Sequence, residues 1–228
     1  MPQEPLHPLR ESRLSMNKEA ANRYSGAIFL AGGWLEKRGI SDETAESFRL
    51  GVVTNPIPGH ERYEGWLSIP YLDYRDRVLK VRFRCLGEHG GKCKDFGHGK
   101  YIDLPHEVAR VFNTKALHDP GEEVHICEGE LDSVILTQAG LNAIALPGAN
   151  QWRYHHTRML ADYSKVYVWA DADDAGSQFA SDVLSSMSRA DQVRLPPGLD
   201  VNDYFLREGV DGLWALKDQL DELTDETA

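Results

Sequence analysis

VHICEGELDSVILTQAGLNAIALPGAN, residues 124–150, and VYVWADADDAG, residues 166–176, decide how this chain folds. Residues 124–127 form a short apolar run that reads as a buried strand, 131–139 have helical spacing with Gly140 just past their end, and 143–146 are a second apolar run. The pattern then repeats. Residues 153–163 read as a helix, the β-branched and aromatic run 166–170 as a strand, 175–187 as a helix, and 192–195 as a fourth strand stopped by Pro196 and Pro197. Such alternation predicts a mostly parallel sheet flanked by helices, with ligands gathered beyond the carboxyl ends of the strands.

Three acidic groups fall at those strand ends. Glu128 and Glu130 follow the first strand, Asp171, Asp173 and Asp174 the third, and Asp200 and Asp203 the fourth in LPPGLDVNDYF. Carboxylates brought to one rim repel one another unless a cation neutralises them, and hard oxygen ligands suit Mg²⁺ or Mn²⁺. Acidic residues after strands also cap helices, and Asp174 sits where a cap belongs. Three groups at corresponding strand ends favour the metal reading over capping alone.

The segment from 124 to about 205 resembles the TOPRIM domain, through Glu128-Gly129 after the first strand and Asp171-Ala172-Asp173 after a later one. Within TOPRIM proteins it is similar to the DnaG-type DNA primases, in EGELDSVILTQAG, in AIALPGAN and in a last acidic element. That element, Leu199-Asp200-Val201-Asn202-Asp203, lacks the Lys that precedes it in the family. Residues 34–53, WLEKRGISDETAESFRLGVV, and 99–113, GKYIDLPHEVARVFN, resemble the amino-terminal part of the primase polymerase core. The resemblance implies metal-dependent nucleotidyl transfer that makes short RNA primers on single-stranded DNA from NTPs. Glu128 would then be a general acid/base or metal ligand, Asp171 and Asp173 the principal ligands of Mg²⁺ or Mn²⁺, and Asp200 and Asp203 supporting ligands. Small primases of this kind resemble those of phages.

Charge divides the 228-residue chain. The net charge is −11, yet residues 1–118 carry 18 basic and 15 acidic side chains while residues 119–228 carry 7 and 21. The shift coincides with His118, Asp119, Pro120 and Gly121, which break helix and strand alike. The organisation expected is a flexible terminus over 1–18, a smaller α+β nucleic-acid-binding subdomain over 19–118, an α/β TOPRIM catalytic domain over 119–208, and a helix and tail over 209–228. In the first half, 20–30 reads as a helix, and 66–71 and 78–83 as a hairpin with a polar turn. Three cysteines form no even disulfide framework, and neither a signal peptide nor a membrane span is visible. A cytoplasmic protein without a membrane role is expected, in the host cytoplasm if phage-encoded.

Between residues 75 and 100 eight basic side chains stand against three acidic ones. Arg82 and Arg84 share one strand face, and with Lys92, Lys94 and Lys100 they are candidates for binding a template or nucleotide phosphates, with Tyr101 stacking on a base. A solvated sheet face is the plainer alternative. Cys85, His89, Cys93 and His98 lie in the same stretch with residue types that suit Zn²⁺, but their spacing is not a common finger pattern. A polar loop whose histidines contact nucleic acid is the other reading. Cys127 reads as a buried inert thiol, His155 and His156 as surface residues, and the helix over 213–223 as packed on its domain. No phosphate-binding G-x-x-x-x-G-K-[ST] loop occurs, which argues against helicase or ATPase activity. A replicative helicase is an expected partner of a primase, while a TOPRIM-type nuclease and a non-enzymatic nucleic-acid or replication-protein adaptor are the competing readings.

Overall fold

The computed structural model describes residues 9–87, 89–118, 121–148 and 151–225. The helices are α1 (Glu11–Ser25), α2 (Gly32–Glu36), α3 (Asp42–Ser47), α4 (Glu130–Gln138), α5 (Tyr154–Met159), α6 (Asp174–Ser186) and α7 (Val201–Asp225). The strands are β1 (Gly51–Val52), β2 (Leu67–Leu72), β3 (Val78–Arg84), β4 (Tyr101–Asp103), β5 (Glu123–Cys127), β6 (Ala143–Ala145), β7 (Lys165–Trp169) and β8 (Ala190–Val193). They fall into two compact units. One joins the described residues up to Gly32 with Ala45–Glu107, and the other joins Gly33–Thr44 with those from Val108 onward. The break after Glu107 lies upstream of the one expected at 118/119, because Phe112 exchanges backbone hydrogen bonds of 2.8 and 3.2 Å with Ala145 and so belongs to the second unit. Of the expected boundary markers, Asp119 and Pro120 lie outside the described residues, as do 1–8 of the terminal segment.

The first unit is an antiparallel sheet in the order β1-β2-β3-β4. The expected hairpin is present, with Leu67 opposite Arg84 and Ser68 opposite Phe83. Its turn is organised by Asp73, which accepts the backbone N–H groups of Arg75 and Arg77 at 2.9 and 3.0 Å and pairs with the Arg77 guanidinium. Helix α1 packs on this sheet through Ala20, Ala21 and Tyr24, beside Tyr63 and Phe83, whose rings stack at 4.1 Å. It starts at Glu11, inside the segment expected to be flexible, and ends at Ser25, midway through the 20–30 span expected to be helical. The cause is tertiary. Asn17 is buried and donates to the carbonyls of Val78 and Leu79, and Arg13 pairs with Glu107.

Tyr24 is the polar keystone of this unit. Its hydroxyl accepts the Ile57 N–H at 3.1 Å and lies 2.9 Å from His60 Nδ1. Burial, with Arg13 nearby, lowers the His60 pKa to about 4, so the ring is neutral and the tyrosine O–H donates to it. Tyr24→Phe leaves two buried polar groups without their partner and is expected to cost about 2 kcal/mol. Urea unfolding of the full chain measures it; an unchanged midpoint would refute the assignment.

The second unit is a four-stranded, wholly parallel sheet in the order β6-β5-β7-β8. The chain goes from β5 outward to β6 and then back past β5 to β7, so the connections diverge on either side of the β5–β7 pair, and a crevice opens beyond their carboxyl ends. Each predicted strand is present; the fourth begins at Ala190 rather than Gln192. The core gathers Val124, Ile126, Ile144, Val166, Val168, Phe179 and Val183. Helix α7 is interrupted at Gly209, whose φ of 70° no helix accommodates. Beyond it Leu213 is buried, Trp214 donates to the Ala139 carbonyl at 2.9 Å, and Lys217 bridges Glu123 and Asp221. His156, expected at the surface, is 6% exposed, because its ring lies 5.3 Å from that of Trp152 and accepts the Arg153 N–H through Nδ1.

Candidate metal centre

The crevice between β5 and β7 collects the acidic side chains. Glu128 leaves β5 and is half-buried, and its Oε1 is buried without a hydrogen-bond partner. Burial first, then Asp171 and Asp173, push its pKa up to about 7, partly offset by the Asp171 N–H donated to the carboxylate. Sequence reasoning passed over Asp132. Its carboxyl, held well above the usual range by burial and then by Asp171 and Asp200, is one turn into α4 and lies against Gly129, where a Cβ would come within 2.2 Å of Oδ2. Arg38 opposes that shift; it bonds Asn202 Oδ1 at 3.1 Å while Asn202 bonds back to its carbonyl. The signal for Asp132 was its position one turn after Glu-Gly, four residues from Glu128.

Asp171 follows β7 and is half-buried, whereas Asp173 is exposed. Asp173 Oδ1 accepts the Gly176 N–H at 2.8 Å, which makes Asp173 rather than Asp174 the cap of α6 and leaves its second oxygen outside that bond. Gly176 presses on the Asp171 backbone: a Cβ there would meet the Asp171 carbonyl oxygen at 2.2 Å. Asp200 accepts the Asp203 N–H at 2.7 Å and starts α7, within electrostatic reach of Asp132; Asp203 is exposed on the first turn. Glu128, Asp132, Asp171, Asp173 and Asp200 thus share one charged neighbourhood. Glu128 also lines a cleft with Gly148, Trp152, Gln178 and Phe179. An orphaned buried carboxylate oxygen facing other carboxylates is the arrangement that a hard divalent cation neutralises, so these residues fit Mg²⁺ or Mn²⁺.

The sign of the Glu128 shift makes a prediction. Below pH ~7 the carboxyl holds a proton that a cation must displace, and above it the carboxylate is free. Affinity of the metal-free protein for Mn²⁺, followed by calorimetry, is expected to rise by up to about tenfold per pH unit as the pH approaches ~7. Glu128→Gln flattens the profile; an equally steep profile in that variant would exclude Glu128 as the titrating group.

The basic candidates all lie in the first unit. Arg82 and Arg84 share a face as expected, and each guanidinium lies 5.2 Å from the Tyr101 ring centroid. Arg84 is only 3% exposed, because the sheet and Tyr101 cover it. Lys80 and Arg82 lie 2.7 and 3.7 Å from Asp103, and Lys92, Lys94 and Lys100 are exposed. Cys85, His89, Cys93 and His98 converge, with one ligand atom from each lying within 4.8 Å of the others. Cys127 is buried, and burial pushes its thiol pKa up, as an inert core cysteine requires. Among the described residues no helix is long and apolar enough to cross a membrane.

A family profile described as Toprim-like matches residues 125–205, the segment that carries these carboxylates. The Gene 57 protein of Mycobacterium phage D29 is 32% identical over 155 residues, covering 66% of this chain and 97% of that protein. The DNA primase of Pseudomonas putida is 24% identical over 92% of this chain, which spans only 38% of that primase's length. Among solved structures, a DnaG primase catalytic domain bound to single-stranded DNA superposes with a TM-score of 0.73 at 21% identity, over 92% of this chain and 79% of that one. The fold is therefore that of the primase catalytic core, a Toprim sheet with an antiparallel subdomain before it.

Proposed function

We propose, from the premise that this chain belongs to the family of the phage D29 Gene 57 protein and carries a Toprim domain homologous to that of DNA primases, that it synthesises short RNA primers on single-stranded DNA. The observation that carries the reading is the buried Glu128 oxygen facing Asp171 and Asp173 at the switch point of a parallel sheet. A divalent ion bound there neutralises phosphate charge and orients the reacting groups. Asp171 and the free oxygen of Asp173 would hold it, with Asp200 in support and Asp132 completing the negative field. Asp203, exposed and engaged through its backbone with Asp200, serves at most as an outer ligand.

Glu128, whose Oε1 is buried without a hydrogen-bond partner, takes the proton of the attacking 3′-hydroxyl. The oxygen so freed bonds to the α-phosphorus of the incoming NTP, and the bond to the β-phosphate oxygen breaks to release pyrophosphate. The exposed Lys92, Lys94 and Lys100 contact the template backbone, an interaction that weakens steeply with salt. A replicative helicase supplies coupling to the fork. Incubating the full chain with single-stranded DNA of mixed sequence, labelled NTPs and Mg²⁺ or Mn²⁺ tests the proposal. Template-dependent oligonucleotides are expected; template cleavage without NTPs would instead indicate a nuclease.

A further inference from the structure

The connection between β3 and β4 holds a second cluster that nucleotidyl transfer does not use. Cys85 leaves the end of β3, 7% exposed, with its Sγ 3.2 Å from His89 Nε2 and accepting the Gly87 N–H at 3.4 Å. Cys93 opens a tight turn closed by Gly97 at φ 73°, and the His98 N–H returns to the Cys93 carbonyl at 3.2 Å. This brings the fourth side chain back beside the first three. Gly87 and Gly90, at φ 80° and 71°, supply the other reversals, which L-residues with side chains would resist.

We infer that Cys85, His89, Cys93 and His98 bind one structural Zn²⁺ ion. Their ligand atoms already lie within 4.8 Å of one another, and a tetrahedral zinc requires them at roughly 3.3–3.8 Å, so closing the site takes shifts of about 1 Å. Both imidazoles are oriented for it. His98 Nδ1 lies 3.0 Å from the Gly99 carbonyl oxygen, to which it donates, and this leaves Nε2 with the lone pair a metal needs. The His98 ring packs against Trp66 at 4.8 Å and the His89 ring stacks on Phe96 at 4.2 Å. His89 turns Nε2 toward the Cys85 sulfur while its Nδ1 is buried without a partner, a cost that a metal bond at Nε2 offsets. Two thiolates and two imidazoles select zinc over the magnesium or manganese that suits the carboxylates of the other unit. The ion fills all four positions from the protein and pins the loop that presents Lys92, Lys94 and Lys100. The site stands independently of the proposed activity.

The test uses the full chain purified without chelator. Elemental analysis is expected to find one zinc per chain, and cobalt exchange to give thiolate-to-cobalt charge-transfer bands with the intense ligand-field bands of a tetrahedral site. Cys93→Ser is expected to be purified without zinc, and when loaded with excess cobalt to show about half the charge-transfer intensity of the wild type. If that variant fails to fold, titration of the wild-type protein with an organomercurial gives the same information: two thiols react as one zinc is released, while buried Cys127 stays silent. Substoichiometric zinc with free thiols, a Cys85–Cys93 disulfide in the protein as purified, or a cobalt spectrum without charge transfer would each overturn the inference.

Discussion

Asp171→Asn combined with Asp173→Asn is expected to reduce template-dependent synthesis about a thousandfold or more while leaving the fold intact. Removing two of the five carboxylates around the crevice takes away the charge that holds a divalent ion, and in phosphoryl transfer the protein contributes chiefly position and electrostatics. The fold survives for a specific reason. Asp173 caps α6 by accepting the Gly176 N–H at 2.8 Å, and the Asn carbonyl oxygen accepts that bond equally well. Loss of two like charges beside Glu128 also relieves repulsion, so the variant without metal should melt no lower than the wild type. Added Mn²⁺ should then raise the melting temperature of the wild type alone. Wild-type levels of synthesis in the double variant would end the assignment of these residues, and a collapse in melting temperature would mean that the activity loss reports unfolding.

Gly176→Ala is expected to destabilise the second unit by about 3 kcal/mol or more. The new methyl would stand 2.2, 2.8 and 2.9 Å from the carbonyl oxygen, nitrogen and carbonyl carbon of Asp171, all backbone atoms that cannot swing aside. Relief requires α6 to retreat, and that retreat breaks the Asp173 cap and carries its second oxygen away from Asp171. Activity should therefore fall with stability. Gly33→Ala is the control, since a methyl there meets nothing within 4 Å at a helical position, and it should raise stability by about 0.5–1 kcal/mol. Equal melting temperatures for the two variants would show that the close approach at Gly176 is not required.

The parallel sheet was legible because each buried strand advertises itself as an apolar run and each crossover helix has its own period. Glu128, Asp171 and Asp173 were legible because strand ends are where such a sheet collects ligands. Other parts depend on partners distant in sequence. Helix α1 has a polar composition, and two of its four buried residues are the small Ala20 and Ala21, so its pattern is faint until Asn17 and Tyr24 meet the sheet. Asp132 reads as an ordinary residue in a helix's first turn until the bare Cα of Gly129 lets its carboxyl fold down beside Asp171 and Asp200. Arg38 lies 164 residues from Asn202, a pairing that no local rule anticipates. Asp174 was read as the cap because the apolar spacing begins at 175, while α6 starts one residue earlier and gives that position to Asp173.

The alternation of the chain between its two units bears on how such proteins are inherited. Gly33–Thr44 is a short excursion that belongs with the second unit although the first encodes on both sides of it. It supplies the Gly39 carbonyl and the Ser41 N–H to Gln138, and Arg38 to Asn202. A gene fragment beginning at Val108 would therefore lack a strip of the second unit, and a crossover there would join the parallel sheet to a foreign version of that strip. Recombination should tolerate exchange of both units together far better than exchange at the Glu107–Val108 break.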